Sequence, residues 1–464
     1  MTLIIMGLLG LPGQAQIWSP AYFISSGFTS AYGKPAIAFD SQGRLHTIFM
    51  GEKSAGQPHL HHRVLNYSQW SAAYDLPGPN FKEPGVDMAI DSNDHIHVAG
   101  IYRTNGDGPY TVWYWNYNGS QWTGPEQISS GTKEATSFAI DVDRHNDAHI
   151  VYLQAGGTGG KGDIYYRKRQ SGVWQGIRNV TNTSSPNPYG SDSPDIKVDK
   201  DGNTLHIVWH DEFSGKPRVY YTQNTNLGDP NAWWPSNQWQ QLSANNYGKA
   251  PSVFLDNNNQ PFIFWYDDWD TGNRTWVLRY WTGSAWSAKL SLGSEVPYHL
   301  AFDQNNLMHY VYGQTAPSTL RLFYKTFNLT SFSTPLQINN DPLTYKTDFA
   351  NIAIGAQGQP HIIWEERQGS TSLSARVFFT TRGSLGAPPP VNNFAVSASD
   401  STCRLSWRNP DAPNLSTVTI RVRNDQYPSG PWDGTPVISQ PASVLANELR
   451  SEERRVGKEC LSSW

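Results

Sequence analysis

A closed ring of seven four-stranded antiparallel sheets, a β-propeller, is the fold class this sequence predicts, and three observations predict it. A hairpin motif recurs seven times along the 464 residues. A strand bearing an aromatic residue lies between successive hairpins. A spare copy of that strand stands near the N-terminus, while the last repeat lacks one. Composition agrees: Phe, Trp and Tyr make up 13% of the chain and charged residues only 16%, with 40 Gly and 31 Pro. Such a mixture suits short strands and many turns rather than long helices.

Each hairpin reads as an apolar strand, a polar turn and a second apolar strand. The first runs from Ala36-Ile-Ala-Phe-Asp40 to His46-Thr-Ile-Phe, the second from Met88-Ala-Ile-Asp91 to His97-Val-Ala. The third runs from Phe138-Ala-Ile-Asp141 to His149-Ile-Val-Tyr, the fourth from Ile196-Lys-Val-Asp199 to His206-Ile-Val-Trp. The fifth carries Asp256 and Phe262-Ile-Phe-Trp, the sixth Asp303 and His309-Tyr-Val-Tyr, the seventh Gly355 and His361-Ile-Ile-Trp. These anchors recur about every 52 residues, longer than the usual solenoid repeat. Between the hairpins fall Trp70, Trp122, Trp174, Trp239, Trp286 and Phe332, which raises each unit to four strands, as in a radial array.

Closure separates a ring from an open stack. The seventh unit ends at 376–384 with no aromatic strand after it, whereas Ile17-Trp18-Ser-Pro-Ala-Tyr-Phe-Ile-Ser25 matches Trp122-Thr-Gly-Pro-Glu-Gln-Ile-Ser129. The leading segment is therefore expected to complete the last sheet and remove its exposed edge. The propeller is expected to span 17–386.

Within the motif, Asp caps its own turn and Gly tolerates positive φ. The His that follows the turn in six units begins the second strand and is expected to hydrogen-bond the turn, not to form a metal ring. The aromatic column reads as packing between units, with sugar stacking as the alternative. Trp233-Trp234, in an insertion at 224–237, reads either as a cap on the sheet edge or as an exposed platform.

The repeat resembles the bacterial propeller repeats grouped with BNR and sialidase-like proteins, over roughly 17–386. That resemblance implies the fold and says little about function. Ser-x-Asp-x-Gly-x-x-Trp boxes and an Arg-Ile-Pro opening are absent, and no arginine triad carries over, so sialidase activity is not expected. Several lyase families resemble this propeller in fold.

The ends differ in character. Residues 1–15 form a short apolar stretch ending in Gly13-Gln14-Ala15, which reads as a signal peptide and is too short to span a bilayer. Beyond a Pro-rich linker at 387–390, residues 391–449 resemble the opening strands of a fibronectin type III domain, in Val391-Asn-Asn-Phe-Ala-Val, Leu405-Ser-Trp407 and Ile420-Arg-Val-Arg. The roughly 60 residues present fall short of the about 100 of a whole β-sandwich. Residues 450–464 resemble the translation of a sequencing-adapter oligonucleotide and are set aside. Cys403 and Cys460 make no disulfide framework, and no Cys or His cluster has zinc spacing. No metal or cofactor is expected. A net charge of −4 gives no field for nucleic acid. A secreted or cell-surface monomer is the expectation.

If the Asp turns occupy one end of the ring, the ends of the second strands and the starts of the first strands share the other. There lie Tyr102-Arg103, His210-Asp211-Glu212, Asp267-Asp268, Glu365-Glu366-Arg367, and Tyr247 with Lys249, next to Glu52, Lys82-Glu83, Lys133-Glu134, Tyr189 and Tyr345-Lys346. Tyrosines that stack on pyranose rings and carboxylates that grip hydroxyls suit an extracellular glycan or related polymer. Chemistry is the alternative: His210, Asp211, Glu212 and Glu365 are the catalytic candidates, through paired carboxylates in glycoside hydrolysis or a His base in polysaccharide elimination. A protein-binding scaffold is the third reading, because propellers host many functions.

Overall fold

The structure, a computed structural model, describes residues 18–19, 21–54, 57–66, 69–78, 85–103, 108–155, 162–181, 190–202, 204–213, 216–225, 239–243, 247–267, 275–315, 319–339, 345–368 and 375–382, and the backbone of 392–399, 402–408, 417–422 and 435–441. Every regular element among them is a β-strand, and every pairing is antiparallel. The chain divides into two compact units, one holding nearly all of the chain up to residue 383 and the other holding 384–464.

In the first unit, strands form sets in chain order. The first set is Ser30–Phe39, Leu45–Glu52 and Pro58–Asn66; the second is Val86–Ile90, Ile96–Arg103, Tyr110–Tyr117 and Trp122–Gln127. The third is Ala135–Val142, Ala148–Ala155 and Gly162–Gln170, and the fourth Ser191–Val198, Leu205–Phe213, Lys216–Asn224 and Gln240–Gln241. A single residue pair, Gly162 with Ser191, links these two into one larger sheet. The fifth is Gly248–Leu255, Pro261–Asp267, Thr275–Tyr280 and Leu290–Gly293; the sixth is Val296–Phe302, Met308–Thr315, Leu320–Phe327 and Leu336–Gln337. The last is Tyr345–Ile354, Pro360–Gln368 and Ala375–Thr381. Neighbour relations run in a circle: Ser30–Phe39 packs against both Val86–Ile90 and Tyr345–Ile354. Apolar side chains fill the spaces between adjacent sets, as where Ala139, Val151 and Ile164 meet Ile196, Ile207 and Trp209.

The turns repeat one device. The anchor carboxylate accepts backbone N–H groups two and four residues on, as Asp40 does from Gln42 and Arg44, Asp91 from Asn93 and His95, Asp256 from Asn258 and Gln260, and Asp303 from Asn305 and Leu307. Three residues past the anchor the chain is left-handed: Gly43, Asp94, Asn146, Gly202, Asn259, Asn306 and Gly358 all have φ between 59° and 80°. Gly and Asx tolerate that conformation best. Where the residue is Asx, its side chain also accepts the N–H of the preceding set's turn: Asp94 from Ser41, Asn146 from Ser92, Asn259 from Lys200 and Asn306 from Asn257.

The third anchor is Asp143, not Asp141. Asp143 accepts from His145 and Asp147 and contacts His149 Nε2 at 3.2 Å. Asp141 lies within the first strand and accepts the N–H of Val198 in the next set at 2.8 Å. Asp87 and Asp195 do the same for Ile140 and Val253. These carboxylates satisfy N–H groups on the free edges of the first strands, which would otherwise cost about 1–3 kcal/mol each if buried unpaired. The motif histidines are structural. His46, His97 and His149 bridge their anchor Asp to a third-strand side chain, His62, Tyr114 and Tyr166 in turn. His206 and His309 bond Tyr221 and Tyr324.

The leading segment completes the last set. Tyr22 and Phe23 pair with Phe379 and Phe378, and Trp18 bridges Arg382. Its match to 122–129 holds bond for bond: Ser25 Oγ accepts the Val377 N–H as Ser129 Oγ accepts that of Val112. Arg63 donates to the carbonyl of Ile24, as Arg167 does to Ile128 and Arg279 to Leu242. Trp18 lies edge-on to Tyr324 of the sixth set at 5.1 Å, as Trp174 does to Tyr114 and Trp286 to Tyr221. Trp18, Trp70, Trp122, Trp174 and Trp286 therefore pack neighbouring sets together, an arrangement worth about 0.5–1.5 kcal/mol per pair beyond burial, whereas the ring contacts of Trp239 and Phe332 lie within their own sets.

The second unit holds two hairpins, Asn392–Ser399 with Thr402–Arg408 and Thr417–Val422 with Thr435–Pro441. The segments 1–15, 387–390 and 450–464, Trp233-Trp234 and the side chain of Cys403 lie outside the described residues.

Two predictions follow from this packing. Trp18→Ala should lower unfolding free energy by on the order of 2–3 kcal/mol in urea titration, as truncation of a packed aromatic does; an unchanged midpoint would detach the leading segment from the ring. Asp143→Ala should raise the exchange rates of the His145 and Asp147 amides and Asp141→Ala that of Val198, each leaving the other's set protected. The reverse pattern in hydrogen exchange would restore Asp141 as the anchor.

Candidate functional site

Because strands alternate faces, the end of Leu205–Phe213 sends His210 and Glu212 one way and Trp209 and Asp211 the other. His210 stands opposite Asp192 across the pair of strands. At the same level each neighbouring first strand carries a bulge, between Thr136 and Phe138, Asp192 and Asp195, and Lys249 and Ser252. At these bulges Ser137, Ser193 and Ala250 adopt φ of 45°, 51° and 49°. Non-glycine residues hold that conformation at a cost of about 1–2 kcal/mol, and bulges re-aim side chains next to functional clefts.

The bulges frame a cavity of about 400 Å³ lined by Glu134, Asp192, His210, Glu212 and Lys249, with Ser193 and Ala250 at its wall. It lies at the end of the strands opposite the Asp turns. Lys249 Nζ lies 3.1 Å from Glu212 Oε1. Asp192 Oδ1 accepts from the Ser137 hydroxyl and from the Ser193 N–H. His210 is only 6% exposed, and its Nδ1 has no hydrogen-bond partner among the described residues. Burial pushes its imidazole below the ordinary value, Asp192 and Glu212 oppose that, and Lys249 reinforces it. His210 is therefore neutral near pH 7 and offers an uncommitted ring nitrogen.

The other sequence candidates fall elsewhere. Asp211 is fully buried and accepts from the Ser191 hydroxyl at 2.8 Å. Asp267 is held by the indole N–H of Trp265 and by Lys289, and Glu366 by Trp364 and Asn339. Those carboxylates fasten their own strands. Tyr102 packs edge-on to Trp113 at 5.8 Å, and Tyr247 lies beneath Lys216 at 5.4 Å. Neither lines the cavity. Arg103's side chain, Asp268, Lys82-Glu83, Tyr189 and Tyr345's side chain lie outside the described residues. Asp192 is missing from the sequence candidates. It stands seven residues before its turn anchor, as Lys249 and Asp348 do, and that offset is the signal that finds it.

Glu365 belongs to a second charged cluster. Its Oε1 accepts from Arg367 at 2.5 Å, Arg367 also meets Asp348 at 2.9 Å, and Lys346 lies 3.0 Å from Asp348. The Oε2 of Glu365 is buried without a partner among the described residues. Burial pushes this carboxyl up to about 7, against the pull of Arg367. Glu365 does not line the cavity at His210, so the structure does not join the four catalytic candidates in one cleft. Among the described residues no group of three or more His, Cys, Asp or Glu could hold a metal ion, and no helix is long and apolar enough to cross a membrane.

No protein-family model matches the chain, and no curated protein matches it. Solved structures do match. An ulvan lyase, described as a new family of polysaccharide lyase, is 11% identical with a TM-score of 0.52, over 77% of this chain and 96% of that one. The same enzyme with a GlcA-containing saccharide bound gives 11% identity and a TM-score of 0.51 over the same shares. A protein of unknown function from Dyadobacter fermentans is 11% identical over 80% of this chain and 99% of that one, with a TM-score of 0.47. The class is thus settled as an all-β chain with a β-propeller fold. At such identity the likeness carries the fold and nothing of the chemistry.

Two titrations test these environments. The ring signals of His210, assigned by their loss in His210→Gln, should titrate below 6.5 in NMR; titration at or above that value would contradict a buried, neutral imidazole. Glu365, with an ordinary value of 4.5 and a folded value of about 7, takes up a proton on folding between those limits. Stability should therefore fall as pH rises from about 4.5 to about 7, by on the order of 3 kcal/mol, and level off above. Glu365→Gln should flatten that slope in denaturant titrations across the range; an identical slope would assign it to other groups.

Proposed function

We propose that this chain is a secreted or cell-surface seven-bladed propeller that binds an extracellular carbohydrate polymer at the cavity beside His210, carried with a partial fibronectin type III-like module. One observation carries the reading: a cavity of about 400 Å³ at the end away from the Asp turns, where a buried His210 has a ring nitrogen with no partner among the described residues, set among three carboxylates and a lysine. Its volume is within the range of small-ligand sites. Its polar groups are of the kind that orient hydroxyls, and the bulged strands hold them in place. The sevenfold motif, with Ile24-Ser25 filling the last fourth-strand position, supports seven blades. The apolar leader at 1–15 supports export.

A second reading is cleavage of the bound polymer, favoured by the neutral state of His210, which suits proton abstraction near pH 7. The two separate readily. Glycan-array binding by the chain, lost in His210→Ala with the melting temperature retained, is the outcome expected of the first reading. Retention on no carbohydrate or cell-wall polymer would overturn it. Release of reducing ends or of unsaturated sugar absorbance from a retained polymer, abolished in the same variant, would move the assignment to the enzyme.

A further inference from the structure

The charges in the cavity do not balance. Three carboxylates, Glu134, Asp192 and Glu212, share it with one cation, Lys249, and that cation is held by Glu212 at 3.1 Å. Glu134's carboxylate has no ionic or hydrogen-bond partner among the described residues, its contact there being a backbone carbonyl that accepts the Ala155 N–H. Asp192 uses Oδ1 for Ser137 and Ser193 and leaves Oδ2 without a partner among the described residues. His210, 6% exposed and neutral, adds a nitrogen acceptor or donor and no charge. A carboxylate on a ligand would enter a region of like charge with no further cation among the described residues to meet it, at a cost that grows as water leaves. A ligand cation would find two uncommitted acceptors.

We propose that the ligand is a saccharide bearing a free ammonium group, an amino sugar without its acyl cap, seated with the ammonium between Glu134 and Asp192 and a ring hydroxyl on His210. This rests on the carbohydrate reading and narrows it: uronates and sulfated sugars are excluded from the cavity, and N-acylated sugars lose the ionic contact. Ammonium and carboxylate form the stronger, charge-assisted class of hydrogen bond. The bulge geometry holds Asp192 through the Ser193 N–H, so the acceptor is aimed before the ligand arrives. A lysine side chain offers the same ammonium, and the cavity's several polar groups in addition to the carboxylates favour the sugar.

Calorimetry of the whole chain with four probes of matched length tests this: a chitosan oligomer, a chitin oligomer, a galacturonate oligomer and oligolysine, at a pH where the amines are protonated. The chitosan oligomer should bind at least tenfold more tightly than the chitin oligomer, with an affinity that falls as salt rises. The galacturonate oligomer should not bind. Glu134→Gln and Asp192→Asn should each weaken chitosan tenfold or more while preserving the melting temperature. Should either variant unfold, raising salt on the wild-type chain reads the same contact. Equal binding of chitin or tighter binding of galacturonate would keep the carbohydrate reading and overturn the ammonium assignment. Oligolysine binding as tightly as chitosan would overturn the sugar part. Silence from all four would overturn the ammonium assignment and leave the carbohydrate reading to be decided by the glycan array.

Discussion

Everything in the first unit depends on a junction formed by residues more than 350 apart in sequence: Ser25 Oγ accepting the Val377 N–H, with |i−j| of 352. A ring of sheets is free of sticky edges only while its last sheet is complete. Arg63 reinforces the junction from the other side by reaching across to Ile24, and Trp18 seals its outer margin against Tyr324. The same three contacts occur elsewhere in the ring between strands close in sequence, where they cost little chain entropy. At the junction the Ser25 and Trp18 contacts instead join the two ends of the unit, while Arg63 and Ile24 stay as close in sequence as Arg167 and Ile128. Loop-closure entropy grows only slowly with length, so repeating an ordinary contact set suffices. The price is kinetic, since such distant contacts form late and leave edges open meanwhile.

Much of this was legible in the residues, for a physical reason. Turn chemistry is local: Asp caps amides two and four residues on, and a left-handed position selects Gly, Asn or Asp. Those requirements leave marks at fixed spacing, which is why the hairpins, the aromatic column and the leading strand could be read. Asp141 illustrates the limit. It follows the same Ala-Ile pair that precedes Asp91, but the left-handed Ser137 stands six residues before Asp143 as Ser193 does before Asp199, so here the pair simply falls two residues earlier in its strand. His149, six residues after Asp143 as His46 is after Asp40, holds the correct register.

The site was half legible. His210, Glu212 and Lys249 stand at the predicted end and line one cavity. Asp211, Asp267 and Glu366 stand at the same end and are consumed by Ser191, Trp265 and Trp364. Alternation along a strand decides between those fates, and a bulge shifts the alternation by one residue. Period alone therefore cannot assign a face where the backbone is left-handed at Ser193 or Ala250. Asp192 stays hidden for this reason, since its direction is set by the bulge that follows it.

The carboxylates on the inner strands bear on how that cavity behaves. Asp141 fastens the third set to the fourth, and Asp195 the fourth to the fifth, each through a backbone amide, and the cavity is walled by those three sets. Its floor is clamped to its neighbours before anything arrives. Guests would meet a rigid mould, and recognition would be governed by their own shape and protonation, with little of the binding free energy diverted into reorganising the host.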